Sequence, residues 1–571
     1  MSTRVTHAPS LEGQTRIAVA LEHQNQLLAA IANGSASAEF VDATFAALLD
    51  DTNTTEIFKI WWPLSETEGQ TKTDRLNRWF TMLRNDKTYG VEFHAPEVSG
   101  DTFGAYTDAS AGLTCELSTD TVQGADTLDE HRAFWWMRVN AIEIDEQGTL
   151  DVLYHEFEPG FDPTGEVAPV YTVQIAPYIQ RYKTDTKLVC KLRTMPQIGF
   201  HSWVEGRNPD GTQRAFVAHA AYGAGLDTNG YYTSGAGKRP LIRTSYNAAL
   251  SAVKKGRQYQ TIWQTHDQAW LLLMWQLRHA SLAPSGQMEG CLSYNYQYLA
   301  ALGEENTRRV LLTPAQAANI IVGCAVEVGE TGMQTDTDRS AAHNYDLADC
   351  VQVAGKESIT IDGTEYVAVV LDIPATITTT TTTRISTMPW WSGSTDSVLG
   401  RGDGSRGSNT NGRYPCRCAG IEFLQGCYRI AAGEQYQYAE GPDGSSELQQ
   451  YACTVQGSEA SSITSAYVDT GLRLYATEAG WLYIAEMDDT YDGALFPKAA
   501  GTGSGSSYLR DAFYHYGRSS GLSVPWLAGR LSGGGSGGLV CVYGCHGSGY
   551  ADWDGAPGLS RRCWRGELTE N

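Results

Sequence analysis

Gly529-Arg-Leu-Ser-Gly-Gly-Gly-Ser-Gly-Gly-Leu-Val-Cys-Val-Tyr-Gly-Cys-His-Gly-Ser-Gly549 places nine glycines in 21 positions and runs on into Tyr550, Asp552, Trp553 and Asp554. The chain as a whole has 60 glycines in 571 residues, so this stretch stands apart. Interspersed glycine lets a backbone turn tightly. Tyr, Trp, Ser and His between the glycines supply contact area and adaptable hydrogen bonds, the chemistry of a recognition surface. A core stripe would need a regular period, which Tyr543, Tyr550 and Trp553 lack. These three rings are expected on a contact surface.

The composition agrees. The chain carries 30 Tyr, 15 Trp and 14 Phe but only 19% charged residues, against roughly 25% in ordinary soluble proteins; this is the make-up of loop-rich β-structure. A net charge of −23 with scattered Lys and Arg offers no basic stripe to neutralise phosphates, which excludes nucleic-acid binding. Hydrophobic residues make up 42%, enough to bury a large core, which excludes intrinsic disorder. The length corresponds to two to four domains at roughly 150 residues each. Residues 1–10 have no apolar segment of a secretory signal, and the longest apolar run, Ala269–Trp275, is too short to span a bilayer. A soluble chain made in a cytosol is expected, without membrane insertion.

Twelve cysteines lie between positions 115 and 563. Cys416 and Cys418, and Cys541 and Cys545, are the only tight pairs, and neither has the matching second knuckle of a zinc site. Buried reduced thiols are expected, and no cofactor.

Along the chain, Ser10 and Gly34 bracket a helical pattern over 11–33. Ile17, Leu21, Leu28 and Ile31 form its a/d seam, a short oligomerising or docking helix for a domain of residues 1–36. From 37 to 193 the pattern reads as a β-sandwich: Phe134–Val139, Leu150–Phe157 and Val170–Ile175 are strand-like, separated by Asp145–Gly148 and Glu158–Gly160 turns, with one helix near Asp74–Leu83. In the third domain, 194–571, Tyr246–Lys255 and Thr265–His279 read as helices. An insertion at about 290–384 holds a helix (Pro314–Val322), a hairpin (Ile359–Gly363 into Tyr366–Leu371) and the run Thr378–Thr383, which suits extended structure. Arg401-Gly402-Asp403 spells a cell-adhesion tripeptide, which three residues match by chance. The expected fold is mixed and β-rich: an N-terminal helix, a sandwich and a C-terminal α+β domain.

Several stretches carry a family resemblance. Tyr246-Asn-Ala-Ala-Leu-Ser-Ala-Val-Lys-Lys-Gly256 with Gln264-Thr-His-Asp-Gln-Ala-Trp270 resembles the helix pair of the formylglycine-generating-enzyme branch of the C-type lectin fold. Arg413-Tyr-Pro-Cys-Arg-Cys-Ala-Gly-Ile-Glu422 and the closing stretch Trp526–Arg562 resemble segments of phage structural proteins with that fold. Upstream, Tyr106–Leu113 and Ser118–Thr121 look like the sandwich that precedes the lectin module in those proteins. The family's Trp after the Gly-Ile-Glu motif is Arg429 here, and its closing Arg falls on Gly558. In relatives similar to the major tropism determinants of phages with diversity-generating retroelements, the closing segment is varied for receptor binding. The resemblance carries that role onto Arg530, Ser532, Ser536, Cys541, Tyr543, Cys545, His546, Tyr550, Asp552 and Trp553.

The fold's enzyme branch holds copper with two thiolates. Cys541 and Cys545 lie near that place but are separated by three residues rather than four, without the enzyme's Cys–His–Arg surroundings, and the twelve histidines lack an iron-triad spacing. There is no nucleophile elbow, no His-Glu-x-x-His helix and no phosphate-binding loop, and no repeat of a depolymerase β-helix. Asp488-Asp489 and Asp552/Asp554 read as solvated loop acids, and Trp61-Trp62 and Trp390-Trp391 as core. The expectation is a non-enzymatic phage virion adhesin of tail-fibre type, assembled in the host cytoplasm as a homotrimer among other virion proteins. It would bind a bacterial surface receptor, protein or glycan. A capsid-decorating head-fibre adhesin and a copper-dependent oxidase are the alternatives.

Overall fold

The computed structural model describes Glu22 and residues 37–94, 104–116, 124–282, 290–330, 345–396 and 413–562, apart from 456, 489, 492, 502, 506 and 508. The expected seam of Ile17, Leu21, Leu28 and Ile31, and the loop holding Arg401–Asp403, lie outside the described residues. The fold is mixed and β-rich.

Residues 37–83 correct the sequence reading. In place of strands and one helix they form three helices, α1 (Ala38–Ala46), α2 (Thr54–Leu64) and α3 (Lys72–Met82). The Ser37 side chain caps α1 by accepting from the Phe40 N–H, and Thr71 and Asp74 form a reciprocal capping box on α3. Isoleucine and tryptophan give α2 a strand-like composition. Yet its buried residues Ile57, Phe58, Trp61 and Trp62 recur at helical spacing, and packing overrides weak propensity. Phe58 meets Trp61, Trp62, Trp79 and Trp135 at ring-centre distances of 5.1–6.2 Å. Trp61 and Trp62 are therefore core, as expected.

Two antiparallel sheets follow. One is ordered Ala105–Asp108, Thr88–His94, Lys187–Arg193, Tyr178–Lys183, His201–Ser202; the other is Leu150–His155, Trp136–Glu143, Val170–Ile175, Phe216–Ala220. Both recruit a strand from beyond residue 193, so the expected boundary at 193/194 is not a break between sheets. His201–Ser202 pairs with Tyr178–Lys183 and Phe216–Ala220 with Val170–Ile175, so each sheet ends on a strand from across that boundary. One continuous core reaches from Val41 to Leu559.

The insertion is a sheet of its own, ordered Gln297–Leu299, Thr383–Met388, Ala325–Glu330, Ala348–Ile361, Thr364–Leu371, Arg309–Leu312. The expected hairpin turns at Asp362-Gly363, both with positive φ. The helix expected over 314–322 is a single turn, Pro314–Ala317. Of the threonine run, Thr380, Thr382 and Thr383 donate to the Glu330 carboxylate. A separate apolar core includes Val310, Val326, Val369 and Trp390; Trp391 is half-buried, with its indole N–H on the Cys350 carbonyl.

At the centre of the C-terminal half, α4 (Tyr246–Val253) precedes α5 (Thr265–His279), which has the bounds expected from sequence. Every residue of α5 from Thr265 to Arg278 is buried, as befits a helix packed on all sides. The last described strand, Leu559–Ser560, returns to pair with Thr261–Ile262 just before α5, closing the C-terminal half on itself. No described helix is long and apolar enough to cross a membrane.

Candidate functional site

The Gly-rich segment feeds a seven-stranded sheet ordered Pro497–Ala500, Gly480–Met487, Ala512–His515, Val542–Tyr543, Trp526–Leu527, Tyr428–Ile430, Gly555–Pro557. Period-two alternation sorts its side chains. In Ala512–Tyr516, Phe513 and His515 are fully buried, whereas Tyr514 is half-exposed and Tyr516 is 45% exposed.

A continuous strip of rings results. Trp481 packs edge-on to Tyr514 at 5.1 Å, Tyr514 stacks on Tyr543 at 4.6 Å, Tyr543 meets His546 at 4.7 Å, and His546 stacks on Tyr550 at 3.8 Å. Buried Tyr428 and Trp526 support it from below, Tyr428 stacking on Tyr543 and Trp526 tilted against His546. Trp481 and Tyr550 are exposed, while Tyr543 and His546 are half-buried. Burial pushes the His546 imidazole down to about 4, so the strip is uncharged at neutral pH. Its rim is polar. The Tyr550 hydroxyl donates to Asp552 at 3.0 Å, Arg530 pairs with Asp554 at 2.5 Å, and the Arg518 guanidinium lies 4.8 Å from the Tyr516 ring centre.

Of the ten expected receptor-binding positions, Tyr543, His546, Tyr550 and Asp552 belong to this strip, and Arg530 lies at its edge. Ser532 is exposed in the neighbouring turn, and the half-buried Ser536 hydroxyl donates to the Gly533 carbonyl. Three positions are corrected. Cys541 is fully buried, Cys545 is buried at 9% exposure, and Trp553 at 3% packs into the core of the insertion with Trp390 and Leu531. Each is apolar enough to fill space below the sheet, and glycine neighbours conceal the inward-facing period. Sequence reasoning missed Trp481, Tyr514 and Tyr516. The alternation Phe-Tyr-His-Tyr over 513–516 was a legible signal for two of them.

The glycines divide in the same way. A Cβ on Gly538 would stand 2.1 Å from the Asp511 carboxylate, which accepts the Val540 N–H, and one on Gly544 would meet the Phe513 ring at 2.8 Å. Gly549 has nothing within 4 Å. Part of the glycine richness therefore serves close packing rather than surface adaptability. Gly538→Ala is expected to lose about 1–3 kcal/mol by overpacking, read as a lowered urea midpoint, with Gly549→Ala unchanged.

The cysteine expectation holds among the described residues. Eleven cysteines are free thiols, and only Cys115 and Cys427 are more than marginally exposed. Burial pushes Cys541 well up and Cys545 to about 11, so neither is poised as a thiolate.

One cluster among the described residues has metal-ligand spacing: Glu205, His266 and Asp267, each buried, with ligand atoms within 4.8 Å of one another. It already forms a network of the chain's own groups. His219 lies between the two carboxylates, 3.0 Å from Asp267 by Nδ1 and 3.0 Å from Glu205 by Nε2. His266 Nε2 is 3.3 Å from Glu205, and the Trp203 indole donates to Glu205. The Gln264 N–H and the Ser560 hydroxyl donate to Asp267. The arrangement locks α5 to the strand Phe216–Ala220 and to the closing strand Leu559–Ser560.

No family model matches this sequence, and no curated protein matches it.

Proposed function

We propose that the chain is a non-enzymatic phage virion adhesin that binds a bacterial surface receptor, with the C-terminal half in a C-type-lectin-like arrangement. The observation that carries this reading is the strip Trp481–Tyr514–Tyr543–His546–Tyr550, gathered from three separate segments onto one sheet and left partly in solvent. Large exposed apolar patches rimmed by polar groups mark interaction sites, and rigid aromatic anchors give contact area at low entropic cost. The pairing of Leu559–Ser560 with Thr261–Ile262 supports the lectin-like reading, since it closes the C-terminal half on the strand that leads into α5. Residues 1–36 would oligomerise the chain, as a homotrimer, and several copies on one particle would raise avidity by orders of magnitude over a weak single site.

The test is adsorption to bacterial cells by the triple variant Trp481→Ala, Tyr514→Ala, Tyr550→Ala. A loss of at least tenfold relative to wild type, with the melting temperature held within a few degrees, is expected. Equal adsorption by a folded triple variant contradicts the placement of the surface.

A further inference from the structure

α3, the start of strand Leu150–His155, the 206–214 loop and the end of the closing strand line an open cavity of about 340 Å³, none of whose lining residues belongs to the aromatic strip. That is within the range of small-ligand sites. Its polar lining includes Asn77, Thr149, Asn208, Gln213, Arg214 and Arg561, and no Asp or Glu lines it, in a chain of net charge −23.

Arg561 is the unusual member. It is 2% exposed, and arginine is almost never so buried without a charge partner. Among the described residues its guanidinium makes one hydrogen bond, a long one from Nη2 to the Glu205 carbonyl at 3.4 Å, and its buried Nε donor has no partner. Among the described residues no carboxylate lies within ion-pair distance of it. Its neighbour Arg562 takes Glu146 at 2.7 Å, and the Arg562 N–H takes Glu143 at 3.3 Å. Burial pushes Glu143 up to about 8, against the pull of both arginines, which favours its neutral form. A buried cation without a counter-charge is costly, and a cavity that opens beside it among amide and hydroxyl groups is a place for an anion.

We infer that this cavity binds a small ligand through an oxyanion, a carboxylate or a phosphate, with Arg561 as its counter-charge and the amides of Asn77, Asn208 and Gln213 around it. Guanidinium to oxyanion is the strong, charge-assisted class of hydrogen bond. The inference does not rest on the adhesin reading.

Calorimetric titration of the full chain with inorganic phosphate, glucuronate and glucose tests it. Saturable binding of phosphate or glucuronate is expected, with none for glucose; which anion binds distinguishes a phosphate ligand from a carboxylate one. Arg561→Gln is expected to weaken that binding at least tenfold. Because Arg561 is buried, Asn77→Asp serves as the second variant. Asn77 is exposed on α3, so the fold is retained while the added carboxylate repels the anion, again by about tenfold. No saturable binding of either anion at millimolar concentration overturns the inference. So does glucose binding as tightly as glucuronate, or anion binding unchanged in Asn77→Asp.

Discussion

His219→Ala is expected to destabilise the protein by about 3–5 kcal/mol, because it removes the imidazole that two buried carboxylates share. Glu205, His219 and Asp267 are all fully excluded from solvent, so water cannot replace the lost partner. The same network makes stability depend on pH. Burial alone would lower the His219 pKa, but Glu205 first and Asp267 with it outweigh burial and raise it to about 9. Since that is above the ordinary value of roughly 6.5, the cation's contribution is complete below about pH 6.5 and is lost as pH rises through about 9. Glu205 behaves in the opposite sense. Burial would raise its pKa, but His219 and His266 hold it well below the ordinary carboxylate range. Its contribution is present above about pH 4.5 and is lost as pH falls further. Melting temperature measured from pH 4 to 10 should therefore peak at mildly acidic pH and fall on both sides. The alkaline fall should be smaller in His219→Ala, most clearly between about pH 8 and 9.5. A flat wild-type profile between pH 6 and 9.5 would contradict the network.

Arg138→Met carries the second large effect, about 3–5 kcal/mol. Arg138 is 1% exposed on the strand Trp136–Glu143, and every bond of its guanidinium reaches across the chain. Nε and Nη2 donate to the Gly420 carbonyl at 3.2 and 2.9 Å, and Nη1 donates to Asp396 at 2.8 Å and to the Tyr222 hydroxyl at 2.7 Å. Tyr222 in turn donates to Asp396. Truncation leaves Asp396 and the Gly420 carbonyl short of their donor, which is where most of the cost arises. Because the clasp joins the first sheets to the C-terminal half, calorimetry should show one main unfolding transition in the wild type and one, at lower temperature, in Arg138→Met. Two well-separated wild-type transitions divided near residue 193 would contradict the shared core.

Much of the fold was legible in the sequence where periodicity was strong. The bounds of α5 and of the strand Val170–Ile175 were read directly, and the hairpin at Asp362-Gly363 was marked by its turn residues. What was not legible depended on long-range packing. Helix α2 reads as strand until Trp61 and Trp62 find Trp79 and His155. Arg138 shows nothing in its local sequence of partners 84 or more positions away, nor does His219 of Glu205 and Asp267, 14 and 48 positions away. The recognition surface was read half-correctly for the same reason. Tyr543 and Tyr550 were placed by their glycine setting, while Trp553, in the same setting, is drawn inward by the core of the insertion. Trp481 and Tyr514 join the strip only because sheet order brings the strands Gly480–Met487 and Ala512–His515 beside Val542–Tyr543.

The central claim is that the aromatic strip contacts the receptor, and side-chain oxidation footprinting of the protein bound to bacterial cells tests it most directly. Trp481, Tyr514, Tyr516 and Tyr550 should become protected on binding. Tyr182 and Tyr231, comparably exposed elsewhere at 38% and 37%, should be oxidised as in the free protein. Protection of Tyr182 or Tyr231 with the strip still fully reactive would contradict the account.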